Sequence, residues 1–191
     1  EGLRYSPDMA GHIREVSDGD ERPITPMAVK VLTVSDGVAQ GLREDRSGAA
    51  LVEQCEAEGW VVVDSSVVAD GTDEVAAALL RLSKGFHGMV VTTGGTGFGP
   101  RDRTPEGTLA VLDRRAPGLA EAMRLVNPLG RLSRGVAGTI GTTLVLNTPG
   151  SLKGSVECLG AVADVVQHAV RLLVDNADPH PSNEGPNEHH G

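Results

Sequence analysis

Aromatic residues are almost missing from this chain: two Phe, one Trp and one Tyr, 2% of 191 residues. Its core therefore has to come from Val, Leu, Ala and Ile, in a chain whose length suits one domain with flexible ends. Cysteine is scarce as well. Cys55 and Cys158 each fall in a segment with helical spacing, with no CxxC and no His pair nearby. That pattern points to neither a disulfide framework nor a zinc site, and buried, reduced thiols are expected. No apolar run has the length of a membrane span, and no signal peptide is visible. The chain opens at Glu1 rather than Met, consistent with a trimmed upstream segment, and a cytoplasmic location is the expectation. An excess of positive charge is also lacking. Seventeen Lys and Arg stand against 26 Asp and Glu, a net charge of −9, which argues against general binding to nucleic acid or a membrane surface. An anionic ligand remains compatible, because a phosphate site needs only local backbone N–H groups and a few cations.

Glycine, in contrast, is abundant, with 25 residues. That number predicts many tight turns or close backbone approaches to a ligand. Residues 1–27, with Pro7, Pro23 and Pro26, show no sustained period and read as a flexible amino-terminal arm. Residues 176–191 are nearly devoid of apolar side chains and read as a disordered tail, including its His pair at 189–190. The region 28–175 reads as one domain in which strands and helices alternate. Val29 to Val34 is a short β-rich run ending in the turn signal Ser35-Asp36-Gly37. Residues 47–58 have helical spacing with Gly59 as a stop. Trp60 to Val68 is strand-like, and Thr72 is expected to cap a helix running to about Lys84. Met89 to Thr93 is a buried strand. Thr104-Pro105-Glu106 opens a helix with Pro at its first position, and another follows Pro117-Gly118. Val136–Ile140 and Thr143–Leu146 form a hairpin around Gly141. A last long helix is predicted from Leu152 to Asp175. This alternation predicts a three-layer α/β/α domain whose mostly parallel sheet carries an antiparallel edge hairpin, its Val runs covered on both faces.

In such a sheet, ligands bind beyond the carboxyl ends of the strands, and four loops there stand out. They are Ser35-Asp36-Gly37 with Asp45-Arg46-Ser47-Gly48, Asp70-Gly71, the run Thr92 to Gly97 followed by Pro100 to Glu106, and Asn147 to Ser151. In the third, Thr93, Gly94, Gly95, Thr96 and Gly97 can aim several N–H groups at one point, a nest for phosphate. It is not a Walker loop, since no GKS or GKT follows, nor a dinucleotide fingerprint. Asp36, Asp70 and Asp102 are carried to the same edge. Mg2+ in phosphoryl or nucleotidyl transfer takes one or two carboxylates plus substrate oxygens and water, although each Asp alone also suits a turn or cap.

The segment TTGGTGFGPRDRTPEGT resembles the signature of molybdenum-cofactor biosynthesis proteins. This family includes bacterial molybdopterin adenylyltransferases and the matching domain of gephyrin-type fusion proteins. The resemblance extends over about residues 28–175, through VSDG at 34–37, DRSG at 45–48, LSRG at 132–135 and NTPGS at 147–151. It implies a homotrimer, sometimes a hexamer, that uses Mg2+ and ATP to adenylylate molybdopterin. It assigns catalytic, metal-linked roles to Asp70 and Asp102. It ties Ser133, Asn147, the loop Gly94, Gly95, Thr96 and Gly97, and Pro149, Gly150 and Ser151 to substrate, and Ser35, Asp36 and Thr93, at the same strand ends, are expected to contact substrate beside them. Three departures are visible: Ala69 where the family often has Pro, which makes Asp73 a rival of Asp70, Leu152 where many members have Pro, and a stretch between Asn127 and Ser133 shorter than in the plant and animal domains. A non-catalytic molybdopterin carrier of the same fold is the alternative.

Overall fold

β1 (Ala28–Val34) shows how the sheet sorts its side chains. Val29 and Val31 enter one hydrophobic cluster, whereas Leu32 and Val34 enter a second on the opposite face, the period-two alternation of a strand. The computed structural model describes residues 26–174, and within them one six-stranded sheet has the order β2-β1-β3-β6-β5-β4. β2 (Val61–Val68), β3 (Gly88–Thr93) and β6 (Thr143–Thr148) lie parallel along β1 and each other. β5 (Ala137–Ile140) and β4 (Arg114–Arg115) close the sheet antiparallel. The three-layer architecture and the antiparallel edge agree with the expected fold class.

The first cluster is covered by α2 (Arg46–Ala57), α5 (Pro117–Leu125), α6 (Leu152–Gly160) and α7 (Ala163–Leu172), through Leu51, Cys55, Met123, Leu159, Val166 and Val170. It also holds Trp60, 5% exposed, at the amino-terminal end of β2. α3 (Thr72–Ser83) covers the other face with Val75, Ala78, Leu79 and Leu82, and α4 (Thr104–Leu109) packs beside it. Lys30, on that second face, donates to Leu82 O at 2.8 Å and lies 4.0 Å from the Phe86 ring centroid. Its stem thus crosses apolar surface while its charge closes the carboxyl end of α3. Both cysteines are buried on α2 and α6 and free. Burial, assisted by nearby Glu58, pushes the Cys55 thiol up to about 12, and burial next to Glu157 pushes Cys158 to about 11, so neither is a reactive thiolate at neutral pH.

Several expectations are corrected. The last helix is two: α6 ends at Gly160 and α7 begins at Ala163. The apolar spacing runs on through buried Val162, so periodicity alone hides the break. Residues 175–191, including Asp175 and the tail histidines, lie outside the described residues, as do residues 1–25 of the arm. Met27 belongs to the core rather than the arm: it is buried, and its carbonyl accepts from Val61 N at 2.9 Å. Thr72 is the first residue of α3, not its cap. Gly71 holds the cap position without a side-chain hydrogen bond. The turn Ser35-Asp36-Gly37 instead opens a one-turn helix, α1 (Asp36–Ala39), capped by Ser35. The two-residue β4 and the 3-10 turn Pro128–Leu132 were not foreseen. β2 does not follow the doubly covered reading either. It is the sheet edge, and Val61, Val63 and Val67 stay 48%, 53% and 43% exposed. Val29 pairs with Val62 but Lys30 with Asp64, so Val63 is an extra residue in a bulge. A bulge reverses which side chains face inward: Val62 packs on the first cluster and Val68 on the second.

The junction of α2 with β1 is tight enough to test. Asp45 caps α2 by accepting from Gly48 N at 2.8 Å, and Thr33 Oγ1 donates to its other oxygen at 2.6 Å. A Cβ on Gly48 would lie 2.2 Å from Asp45 Oδ2 and 2.4 Å from Thr33 Oγ1. Gly48→Ala is therefore expected to cost about 1–3 kcal/mol as an overpacked site, read as a lower urea midpoint with an unchanged slope.

Candidate functional site

The carboxyl ends of β1, β2, β3 and β6 point to one side, and their loops fold over one another there. β3 ends at Thr93, and the chain then turns through Gly94 (φ +102°) and Gly95 (φ +61°). Both conformations belong to glycine. The space does too: a Cβ on Gly94 would lie 2.2 Å from Val34 O. Gly94 N donates to Thr148 O at 3.2 Å, and Thr104 Oγ1 donates back to Gly94 O at 2.8 Å. Thr93 Oγ1 donates to Pro149 O at 2.8 Å. The Gly-rich loop is thereby fixed to the loop after β6 on one side and to the start of α4 on the other.

The aspartates separate into distinct roles. Asp36 N donates to Asp70 Oδ2 at 2.8 Å, and Asp70 N donates to Asp36 Oδ1 at 3.1 Å. This reciprocal pair ties the loop after β1 to the loop after β2. Arg101 adds a bidentate bridge, Nε and Nη2 each 3.0 Å from an Asp36 oxygen, and Nη2 also donates to Asp70 O at 2.6 Å. The Arg101 hydrogen bonds hold Asp36 below its ordinary value of 3.8 despite the opposing effect of burial. A lowered carboxylate stabilises the fold at and above its ordinary pKa, and that contribution is lost only as pH falls through the lowered value. The bridge is therefore complete at neutral pH. Asp102 Oδ2 accepts from Gly99 N at 2.7 Å. Asp73, the rival of Asp70, is exposed in the first turn of α3 and lines neither cleft described below.

Arg134, one residue past Ser133 in the LSRG motif, is the clamp of the site. Its backbone N–H donates to Thr96 O at 2.9 Å, its Nε to Gly97 O at 2.7 Å and its Nη2 to Asp102 O at 2.6 Å, while Nη1 is ion-paired with Glu106 Oε1. Burial pushes Glu106 up, but hydrogen bonds from Arg134 and the backbone and the charge of Arg134 bring it below its ordinary value. Ser133 Oγ lies 3.3 Å from Thr96 Oγ1. Asn147 sits beneath these loops, 2% exposed. Its amide donates to Thr92 Oγ1 and Thr108 Oγ1, both at 3.1 Å, and its oxygen accepts from Val136 N at 3.3 Å. Both amide hydrogens are spent on the scaffold and Asn147 lines neither cleft, so the structure gives it a positioning place rather than a contact with a cleft.

Two clefts open on this surface. The larger, about 630 Å3, is lined by Ser35, Asp70, Thr93, Gly94, Gly95, Asp102 and Gly150 together with Arg43, Arg46 and Lys153. The smaller, about 410 Å3, is lined by Gly95, Thr96, Gly97, Asp102, Ser133, Pro149, Gly150 and Ser151, with Asn127, Leu129, Leu132, Lys153 and Glu157. Gly95, Asp102, Gly150 and Lys153 belong to both, so the clefts meet there. Apart from the rival Asp73, only Asp36 and Asn147 of the residues expected from the sequence line neither cleft: Asp36 braces Asp70, which does, and Asn147 braces Thr92, Thr108 and Val136 beneath the loops. Sequence reading missed Lys153, Glu157, Asn127 and Arg134. Arg134 lay inside a quoted motif, and Lys153 immediately follows Leu152 after NTPGS, so position relative to a motif was the available signal. Among the described residues no group of three or more His, Cys, Asp or Glu is placed to hold a metal ion.

The family model described as "Probable molybdopterin binding domain" matches residues 30–168. The chain belongs to the molybdopterin-binding domain family. Within this family it is 36% identical over 155 residues to a protein named molybdopterin adenylyltransferase from Helicobacter pylori strain J99, covering 78% of this chain and 88% of that one. It is 35% identical to gephyrin of Dictyostelium discoideum and 36% identical to the molybdenum cofactor synthesis protein cinnamon of Drosophila melanogaster. It spans only 22% and 25% of those longer relatives. Among solved structures, the molybdopterin biosynthesis enzyme MoaB of Thermus thermophilus matches with a TM-score of 0.73 and 44% identity, covering 77% of this chain and 96% of that one. The molybdopterin biosynthesis Mog protein of Mycobacterium ulcerans matches with a TM-score of 0.71 and 39% identity, covering 77% and 99%. The matched region lies within residues that build the sheet and both clefts of this family member.

Proposed function

We propose that this member of the family is a molybdopterin adenylyltransferase: it transfers AMP from ATP to molybdopterin. A terminal phosphate oxygen of molybdopterin attacks the α-phosphorus of ATP, the bond to the β-phosphate oxygen breaks, and pyrophosphate leaves. The observation that carries this reading is the meeting of two clefts at Gly95, Asp102, Gly150 and Lys153. A two-substrate transfer needs its reacting groups held side by side, and a carboxylate, an ammonium and two glycines that admit close approach stand at the junction. Gly95, Thr96 and Gly97 of the loop supply backbone donors for a phosphate, kept in place by Arg134.

The chemistry also calls for Mg2+, and the side chains suit it. Asp70 and Asp102 line one cleft, each with one oxygen in a backbone hydrogen bond and a second for which the structure shows no partner. Two carboxylates completed by phosphate oxygens and water are a typical Mg2+ donor set. When bound, Mg2+ neutralises charge on the triphosphate and the departing pyrophosphate. Asp70 and Asp102 would hold it, while Lys153, Arg43 and Arg46 provide the cationic lining of the larger cleft. A homotrimer, doubled in a hexamer, is part of the same reading and is checked by sedimentation.

The test is pyrophosphate release from MgATP with and without molybdopterin, with the product identified by mass spectrometry. Release that depends on molybdopterin, with adenylyl-molybdopterin formed, is the expected result. Tight molybdopterin binding without release would overturn it in favour of a carrier.

A further inference from the structure

The smaller cleft carries apolar surface left open to a ligand. Leu129 and Leu132 line it although they are 73% and 58% exposed, and Pro149 and buried Cys158 continue its wall. Such a wall suits a flat heterocycle. Set into it, away from Asp102 at the junction of the clefts, is the carboxylate of Glu157, one helical turn after Lys153 on α6. Asn127 Nδ2 donates to Glu157 Oε2 at 3.0 Å, and Lys153 Nζ lies 3.6 Å from Oε1. Asn127 is itself fixed, since its Oδ1 accepts from Leu129 N at 2.9 Å. The carboxylate is thus oriented by a neighbour held at both ends of its amide. A carboxylate offers about four lone-pair sites, so acceptor capacity remains on both oxygens.

We propose that Glu157 is the specificity residue of the smaller cleft, accepting two N–H groups from the 2-amino-4-oxo edge of a pterin. The inference rests on the function proposed above and adds which cleft takes which substrate. A pterin presents N3–H and the 2-amino group side by side, two donors that match the two oxygens of a carboxylate. Adenine presents an amino donor beside the N1 acceptor, and that acceptor would face a carboxylate oxygen. A site built to pair with donors rejects a ligand lacking one, because its own polar group is left unpaired. Glu157 therefore admits the pterin and turns adenine away, leaving ATP to the larger cleft with its three cations. Lys153 reaches both clefts and is the partner Glu157 gives up when a phosphate draws the ammonium to the junction.

The experiment is fluorescence titration of the full chain and of Glu157→Gln with 6-hydroxymethylpterin and with 6-hydroxymethyllumazine, which has oxygen in place of the 2-amino group. MgATP binding is measured by calorimetry on the same samples. The wild-type chain is expected to prefer the pterin by about tenfold or more, on the scale of one hydrogen bond to a charged group. The Gln variant keeps an acceptor for Asn127 but exchanges one acceptor for a donor. It is expected to lose about tenfold in pterin affinity, to discriminate by less than about threefold, and to keep its MgATP affinity within about twofold. A Gln variant that still discriminates overturns the assignment. So does a parallel loss of MgATP and pterin affinity, which would make Glu157 a general prop of the site. A wild-type chain that binds both compounds equally overturns the role of Glu157 and leaves adenylyl transfer standing. Failure to bind either these compounds or molybdopterin overturns both.

Discussion

Asp102→Asn is expected to lower adenylyl transfer by about 100- to 1000-fold, the scale of losing one preorganised charge-stabilising group, with molybdopterin binding nearly unchanged. Asparagine is the informative replacement because it keeps an acceptor for Gly99 N, which Asp102 Oδ2 engages at 2.7 Å, and removes only the charge. Alanine would also untie the loop after the glycines. Asp102 lines both clefts, so the missing charge is felt where the phosphates meet. Asp73→Asn serves as the comparison, since Asp73 is exposed outside both clefts and its turnover should match the wild type. Steady-state rates at saturating MgATP decide it. An unchanged rate for Asp102→Asn would remove Asp102 from the reaction.

The second large effect is expected at Arg134, a residue with no reacting partner of its own. Arg134→Ala strips the donors from Gly97 O and Asp102 O and leaves Glu106 without its cation. About 2–3 kcal/mol of stability should go with them, toward the lower end because roughly a third of each side chain of the pair faces water. For a domain of this size that is a fall in melting temperature of roughly 5–10 °C. Turnover should fall further than stability implies, because the loop carrying Asp102 and Gly97 is released. Arg134→Lys should recover little of either, since an ammonium cannot donate in the three directions that the guanidinium uses. Equal melting curves and rates for the wild type and Arg134→Ala would show that the loop holds its shape without this clamp.

Much of the sheet could be read in the chain because its strands sort their side chains by simple alternation and end in turn residues. β3 is buried along its whole length, Thr92 and Thr93 included, as its Met89–Val91 run and β-branched end predict. What escaped notice depended on tertiary position. The exposed valines of β2 have the composition of a central strand, and only the strand order makes them an edge. The break at Gly160 is hidden because buried Val162 falls in register with both α6 and α7. In the site, the glycines and aspartates were visible since they punctuate loops. Glu157 and Lys153 were not, because a Lys and a Glu four apart on a helix look like an ordinary surface pair, and only the fold shows a cleft in front of them. Asn147 and Asp36 were found for their motifs, but the structure gives them the work of bracing Thr92, Thr108 and Asp70.

The scarcity of aromatic side chains has an optical consequence. Trp60 is the chain's single tryptophan, and it is buried at the amino-terminal end of β2, the opposite end of the sheet from the clefts. Its indole emission reports the junction of α2 and β2, where its backbone N–H donates to Cys55 O at 3.0 Å. A loop that comes free at the clefts leaves that emission unchanged, whereas water entering the core shifts it to the red. Excited separately, the tryptophan and a bound pterin give two independent signals from one cuvette, one for the integrity of the scaffold and one for the occupancy of the site.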